Sequence, residues 1–248
     1  MKLNPTKYAF GVTLGKFFGF MISNQGIEAN LKKIRAVQEM TPLRMIKEVQ
    51  HLTERIITLN RFVSRSVEWC SFFFQTLRYS KNFQWTDECQ KDFTNLKNYL
   101  SSIPLLGKPD PGEELFLYLS ISPTMMGVVL VQGWDRIQKP IYYISWTLRD
   151  AETRYLQLEK LAYSLFIAAR KLQPYFQAHS TILLTDRPLK GILHWSDTSR
   201  WIAKWVIELS EFDIQYHPWL SIKAQILADF VAKCTILDEP KEDRKSVV

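Results

Sequence analysis

Three apolar runs of strand length follow one another with only short turns between them: LFLYLSIS at 115–122, GVVLVQGW at 127–134 and KPIYYISW at 139–146. Gaps that short join antiparallel neighbours, so the pattern predicts a three-stranded meander. A Leu- and Ala-rich stretch at about 152–172 then predicts a long helix, and ILLTD at 182–186 a buried strand that ends in a carboxylate. SRWIAKWVIELSEF (199–212) predicts a further helix, FDIQYH (212–217) a short strand and IKAQILADFVAKC (222–234) a last helix. The tail DEPKEDRKSVV is charged and predicted disordered. There are no internal repeats.

The chain before this meander reads differently. YAFGV (8–12) and KFFGFMI (16–22) predict two short strands joined by a turn at Gly15, with NQG at 24–26 as another turn signal. An apolar hairpin so close to residue 1 is expected to be part of a larger sheet. In 29–40, Leu31, Ile34, Val37 and Met40 fall on one helical face, with Lys32, Lys33 and Arg35 off it. Thr41 and Pro42 break that helix, and Thr41 is placed to cap the next. The second helix, about 45–63, has the stripe Val49, Leu52, Ile56, Leu59 and Val63, with Lys47, Arg55 and Arg61 elsewhere. A third, around 67–78, carries Trp69 and Phe72–Phe74. WTDECQKDFTNLKNYLSS (85–102) predicts a helix capped by Thr86, and IPLLGKPDPGEE (103–114) a linker.

Charge separates the two parts. Residues 1–82 hold 13 basic and 5 acidic side chains, a net of +8, whereas 83–248 hold 19 and 20, a net of −1. A basic module beside a neutral one points to a polyanion, most simply nucleic acid. With 46% apolar and 23% charged residues in 248, the chain has the composition of a soluble globular protein. Cys70, Cys89 and Cys234 form no metal pattern and no disulfide framework. No run reaches the ~20 apolar residues of a membrane span, and MKLNPTKYAF is too polar for a cleavable leader. An intracellular protein, cytoplasmic or nuclear and without a membrane partner, is expected.

The element order resembles the ribonuclease H fold, and the whole chain resembles the C-terminal part of a gypsy-type (Metaviridae) retrotransposon reverse transcriptase of a plant lineage. The motifs are LNPTKYAFGV with KFFGFMISNQGIEAN, IKEVQHLTERIITLNRFV, FQWTDECQKDFTNLKNYLSSIPLL, KPIYYISWTLRDAETRY, ARKLQPYF, LLTDRPLK, WVIELSEFDIQYHP and ADF. The resemblance implies a mixed α/β chain in five parts. These are a truncated palm (1–26) with Phe18, Gly19 and Phe20 as a primer-grip-like turn, a helical thumb (27–82), a connecting helix and linker (83–109), an RNase H-like domain with a mixed five-stranded sheet and flanking helices (110–234), and a tail (235–248). Lys32, Lys33, Arg35, Lys47 and Arg55 are the implied phosphate contacts of the thumb. The implied partners are an RNA–DNA hybrid or duplex backbone and the remainder of a Pol polyprotein.

The family's polymerase carboxylates lie in an aromatic-x-Asp-Asp turn, and no such turn occurs here. Its RNase H site uses four carboxylates around two Mg²⁺ ions. Ser120 stands where the first should be, and Leu161 where a helical Glu should be; only Asp186 and Asp229 match. Two carboxylates neutralise half the charge of two divalent ions, and Leu161 offers no donor. Glu159 is ~200° around the helix from a ligand at 161. Catalysis by this chain alone is therefore not expected, and Asp186 with Asp229 would hold a metal weakly, if one binds. A residual metal-dependent RNase H is the alternative. A decayed product is a third reading, to which Glu54, in place of a small residue in the thumb helix, and the unusual Pro123 and Trp134 would contribute. His179, His194 and His217 read as surface histidines, and Trp195, Trp201 and Trp205 as packing residues.

Overall fold

The structure is a computed structural model that describes residues 13–17, 20–23, 26–63, 73, 85–101, 103, 105–133, 138–194 and 200–218. The expected strand at 8–12, the helix at 67–78 apart from buried Phe73, the last helix and the tail lie outside the described residues.

The first sheet has three short strands in the order β1 (Leu14–Phe17), β2 (Phe20–Ser23) and β3 (Gly26–Ala29), all antiparallel. Gly15 lies inside β1, opposite Ile22, and is not the expected turn. The pairs nearest the strand junctions are Phe17 with Phe20 and Ser23 with Gly26. β3 was not anticipated, because GIEA carries no clear alternation.

Helix α1 (Leu31–Gln38) begins at Asn30, whose Oδ1 accepts from Lys32 N at 3.0 Å. Ile34 and Val37 are buried as expected, but Leu31 is 62% exposed, because the inward face begins only one turn into the helix. Helix α2 (Ile46–Thr58) is capped by Glu48, not by Thr41. The Glu48 carboxylate accepts from Arg44 N and Met45 N, two of the donors a helix start leaves unpaired. Its whole predicted stripe, Val49 to Val63, is buried. Helix α3 (Asp87–Ser101) starts as predicted: Thr86 Oγ1 accepts from Cys89 N at 3.3 Å, and Cys89, Phe93, Leu96 and Leu100 face inward.

The segment read as a linker is built into the fold. Leu106 is fully buried and exchanges two backbone hydrogen bonds with Ile27, at 3.0 and 3.1 Å, so it extends the first sheet beyond β3. Gly107 N donates to Pro140 O at 2.7 Å.

The second sheet has five strands in the order β6-β5-β4-β7-β8, with β4 (Leu115–Ile121), β5 (Met125–Gln132), β6 (Lys139–Thr147), β7 (Thr181–Leu184) and β8 (Ile214–His217). The β4–β5–β6 meander is antiparallel; β7 runs parallel to β4, and β8 parallel to β7. The predicted helix at 152–172 divides into a single turn, α4 (Asp150–Thr153), and α5 (Gln157–Lys171). Helices α6 (Gln173–Ala178), α7 (Leu189–His194) and α8 (Arg200–Leu209) complete the described elements.

Alternation along β4 gives the sheet two buried faces. Phe116 and Tyr118 join α1, α2, α3 and the first sheet in one core. Leu115, Leu117 and Leu119 join α5, α6, α7 and α8 in the other. The basic helices and the five-stranded sheet thus share a continuous interior.

Candidate functional site

Ser120 and Asp186 lie near the C-terminal ends of β4 and β7. These strands are parallel, with Tyr118 opposite Leu184. Two residues past that pair stand Ser120 on one strand and Asp186 beyond the other, which is where the family pattern places two of its acids. Ser120 is 8% exposed and pairs with Gly127. Asp186 is exposed, in a bend held by Arg187 N donating to Thr185 Oγ1 at 3.1 Å. Leu161 is 7% exposed and packed in the second core. Glu159 is committed elsewhere: its carboxylate accepts from Leu156 N at 2.9 Å and caps α5. Asp229 lies outside the described residues.

One residue at this end of the sheet was missed. Lys160 is 8% exposed, and its Nζ donates to Pro123 O at 3.1 Å, tying the first turn of α5 to the β4–β5 turn. It shares an inward face with Ser164, four residues on, and only that spacing could have signalled it.

Among the described residues, no three His, Cys, Asp or Glu side chains are grouped to hold a metal ion. Among the described residues, the matched positions carry one hydroxyl, one exposed carboxylate and one buried leucine. That set does not fit a two-ion site.

The basic positions fall into two groups. Lys32, Arg35 and Lys47 are exposed. Lys33 is half-buried, with Nζ 5.8 Å from the centre of the Phe20 ring. The Arg55 Nη1 donates to Ala36 O, one of the last carbonyls of α1, which an arginine there satisfies. Phe20 itself packs on Phe62, with ring centres 5.7 Å apart. Phe18 and Gly19 lie outside the described residues. Beside α1 opens a cleft of about 390 Å³ lined by Glu28, Leu31, Arg35, Gln38, Leu100 and Leu105.

One more side chain departs from expectation. The Nδ1 of His179 donates to Glu113 O at 2.9 Å, so this histidine fastens the entry to β4 instead of lying free on the surface. Trp205 is a packing residue as expected, stacked 5.5 Å from Phe166. Among the described residues, no helix is long and apolar enough to cross a membrane.

A mixed five-stranded sheet with α5 against one face matches an RNase H-like domain, here with a helical module against the other face. Residues 85–183 match the family described as the RNase H-like domain found in reverse transcriptase. Nearly the whole chain is similar to retrotransposon polyproteins. It is 25% identical over 237 residues to the retrovirus-related Pol polyprotein from transposon 412 of Drosophila melanogaster, covering 95% of this chain and 19% of that protein. It is 24% identical to the Pol polyprotein from transposon opus of the same fly, covering 100% and 27%. The Tf2-3 polyprotein of Schizosaccharomyces pombe is 25% identical, covering 96% and 18%. The chain thus spans 18% to 27% of the length of these relatives. Among solved structures, the foamy viral protease-reverse transcriptase in complex with an RNA/DNA hybrid has a TM-score of 0.69 at 20% identity, covering 98% of this chain and 33% of that one. A version in complex with double-stranded DNA has a TM-score of 0.68 at 18% identity, covering 84% and 38%.

Proposed function

We propose that this chain is the palm-end, thumb and RNase H-like portion of a gypsy-type retrotransposon Pol polyprotein, of a plant lineage by its motif spelling. It grips template–primer duplex or RNA–DNA hybrid and does not cut it. In the parent, residues 1–26 would belong to the palm, 27–82 to the thumb, 83–109 to the connection and 110–234 to the RNase H-like domain, inside the cell. Lys32, Arg35 and Lys47 bind backbone phosphate, and the domain behind them serves as a rigid spacer.

The observation that carries the absence of cleavage is the burial of Leu161 in the second core. An apolar side chain fills the place where the family positions a metal-binding carboxylate, and Mg²⁺ requires oxygen ligands. Support for the grip comes from the +8 charge of residues 1–82 together with the exposure of Lys32 and Arg35. The foamy viral relatives in complex with duplexes support the choice of ligand.

Titration of an RNA–DNA hybrid at several salt concentrations tests the grip. The logarithm of the association constant should fall linearly with the logarithm of salt, and a flat response would remove the proposal. A second reading, favoured by the exposed Asp186 at its strand end, is a residual nuclease. Mn²⁺-dependent loss of the RNA strand, abolished in Asp186→Asn, would establish that reading instead.

A further inference from the structure

We infer that Arg61 is a positioning residue, a clasp that reaches around the edge of the five-stranded sheet and sets the angle between the basic helices and the RNase H-like domain. Along β6, consecutive residues face opposite sides. Tyr143 lies in the core shared with the helical module, and Tyr142 packs against the core shared with α5 and α6. Arg61 lies in the turn after α2, and its carbonyl accepts from Tyr143 N at 3.2 Å. Its side chain then passes over the strand to the far face. There the guanidinium carbon sits 4.5 Å from the centre of the Tyr142 ring, and Nη2 donates to Tyr175 Oη on α6 at 2.7 Å.

One residue of the helical module thus touches the backbone of the edge strand, an aromatic ring on that strand's opposite face, and a helix beyond it. The planar fork of an arginine allows stacking and donation at once, which a lysine ammonium cannot reproduce. The clasp is incomplete: Arg61 Nε is buried with no hydrogen-bond partner.

The inference rests on the nucleic-acid reading only for its second readout. In the full chain, with Cys70, Cys89 and Cys234 replaced by serine, spin labels at exposed Gln50 and Gln177 report the distance between module and domain without any nucleic acid present. Arg61→Lys and Tyr175→Phe should each broaden that distance distribution, and the double variant should be no broader than Arg61→Lys. An unchanged distribution in Tyr175→Phe, which removes a single hydroxyl, or additive broadening in the double variant, would overturn the clasp. If Arg61→Lys does not fold, Tyr175→Phe alone decides. Hybrid affinity should fall about three- to tenfold in Tyr175→Phe with an unchanged salt slope, since no phosphate contact is lost. Absence of hybrid binding by the unmodified chain would count against the proposed function and leave the distance result standing.

Discussion

The carbonyl oxygen of Leu106 occupies the place where a β-carbon on Gly26 would stand, and Gly26 itself has φ +146°. The glycine that reads as a turn signal in NQG is therefore required by a segment arriving from 80 residues away. Gly26→Ala should break the Ile27–Leu106 bridge and cost roughly 2–3 kcal/mol, measured as a lowered urea midpoint. Gly112→Ala is the control. At φ +80° with open space around it, it should cost only the backbone strain, about 1 kcal/mol.

Restoring the missing acids tests whether Ser120, Leu161 and Asp186 surround one pocket. In EDTA, Leu161→Glu should destabilise by about 3–5 kcal/mol, because it buries an uncompensated carboxylate. Ser120→Asp/Leu161→Glu should recover part of that loss, seen as a rise in Tm, when millimolar Mn²⁺ is added. A Tm indifferent to the ion would mean that the positions do not converge.

The basic side chains should separate by role. Lys32→Gln and Arg35→Gln should each lower the salt slope of hybrid binding by about one and leave the urea midpoint in place. Arg55→Met should lower stability by about 1–2 kcal/mol, since it leaves the Ala36 carbonyl without its donor, and should leave the slope nearly unchanged.

Lys97 gives a pH dependence whose sign follows from burial. Its Nζ donates to Met40 O and lies 4.5 Å from the Phe93 ring centre, and burial holds its pKa below the ordinary 10.5. Below the folded-state pKa both states carry the proton and the folded chain bears the desolvation cost. Between that pKa and 10.5 the unfolded chain holds more protons, so stability rises with pH. The difference in unfolding free energy between the unmodified chain and Lys97→Met should therefore shift in favour of the unmodified chain as pH climbs from 8 toward 10.5. An opposite slope would show that the hydrogen bond to Met40 dominates over burial.

What could be read in advance was whatever a local period encodes. The stripe Val49 to Val63 repeats at helical spacing and buries entirely, and the meander at 115–147 announces itself through strand-length apolar runs. Thr86 caps α3 because its neighbours in sequence are also its neighbours in space. The misreadings occur where a distant segment decides. Nothing near Leu106 indicates that it will pair with Ile27, and nothing in the α1 stripe shows that Leu31 falls short of the core. At the site, the losses at Ser120 and Leu161 were visible only against the family pattern. The Lys160 tie to Pro123 depends on how α5 is seated on the sheet.

Where the helical module meets β6 has a practical corollary. On the outer rim of that strand Tyr143 N donates a backbone hydrogen bond to the carbonyl of residue 61, and the Pro140 carbonyl accepts one from residue 107. A truncated version beginning near residue 110, the boundary that the domain pattern recommends, would strip both and lay bare the face that carries Phe116, Tyr118 and Val129. Such an excised domain would offer a naked strand edge beside an oily surface to its own copies, and it should precipitate where the longer chain stays dispersed.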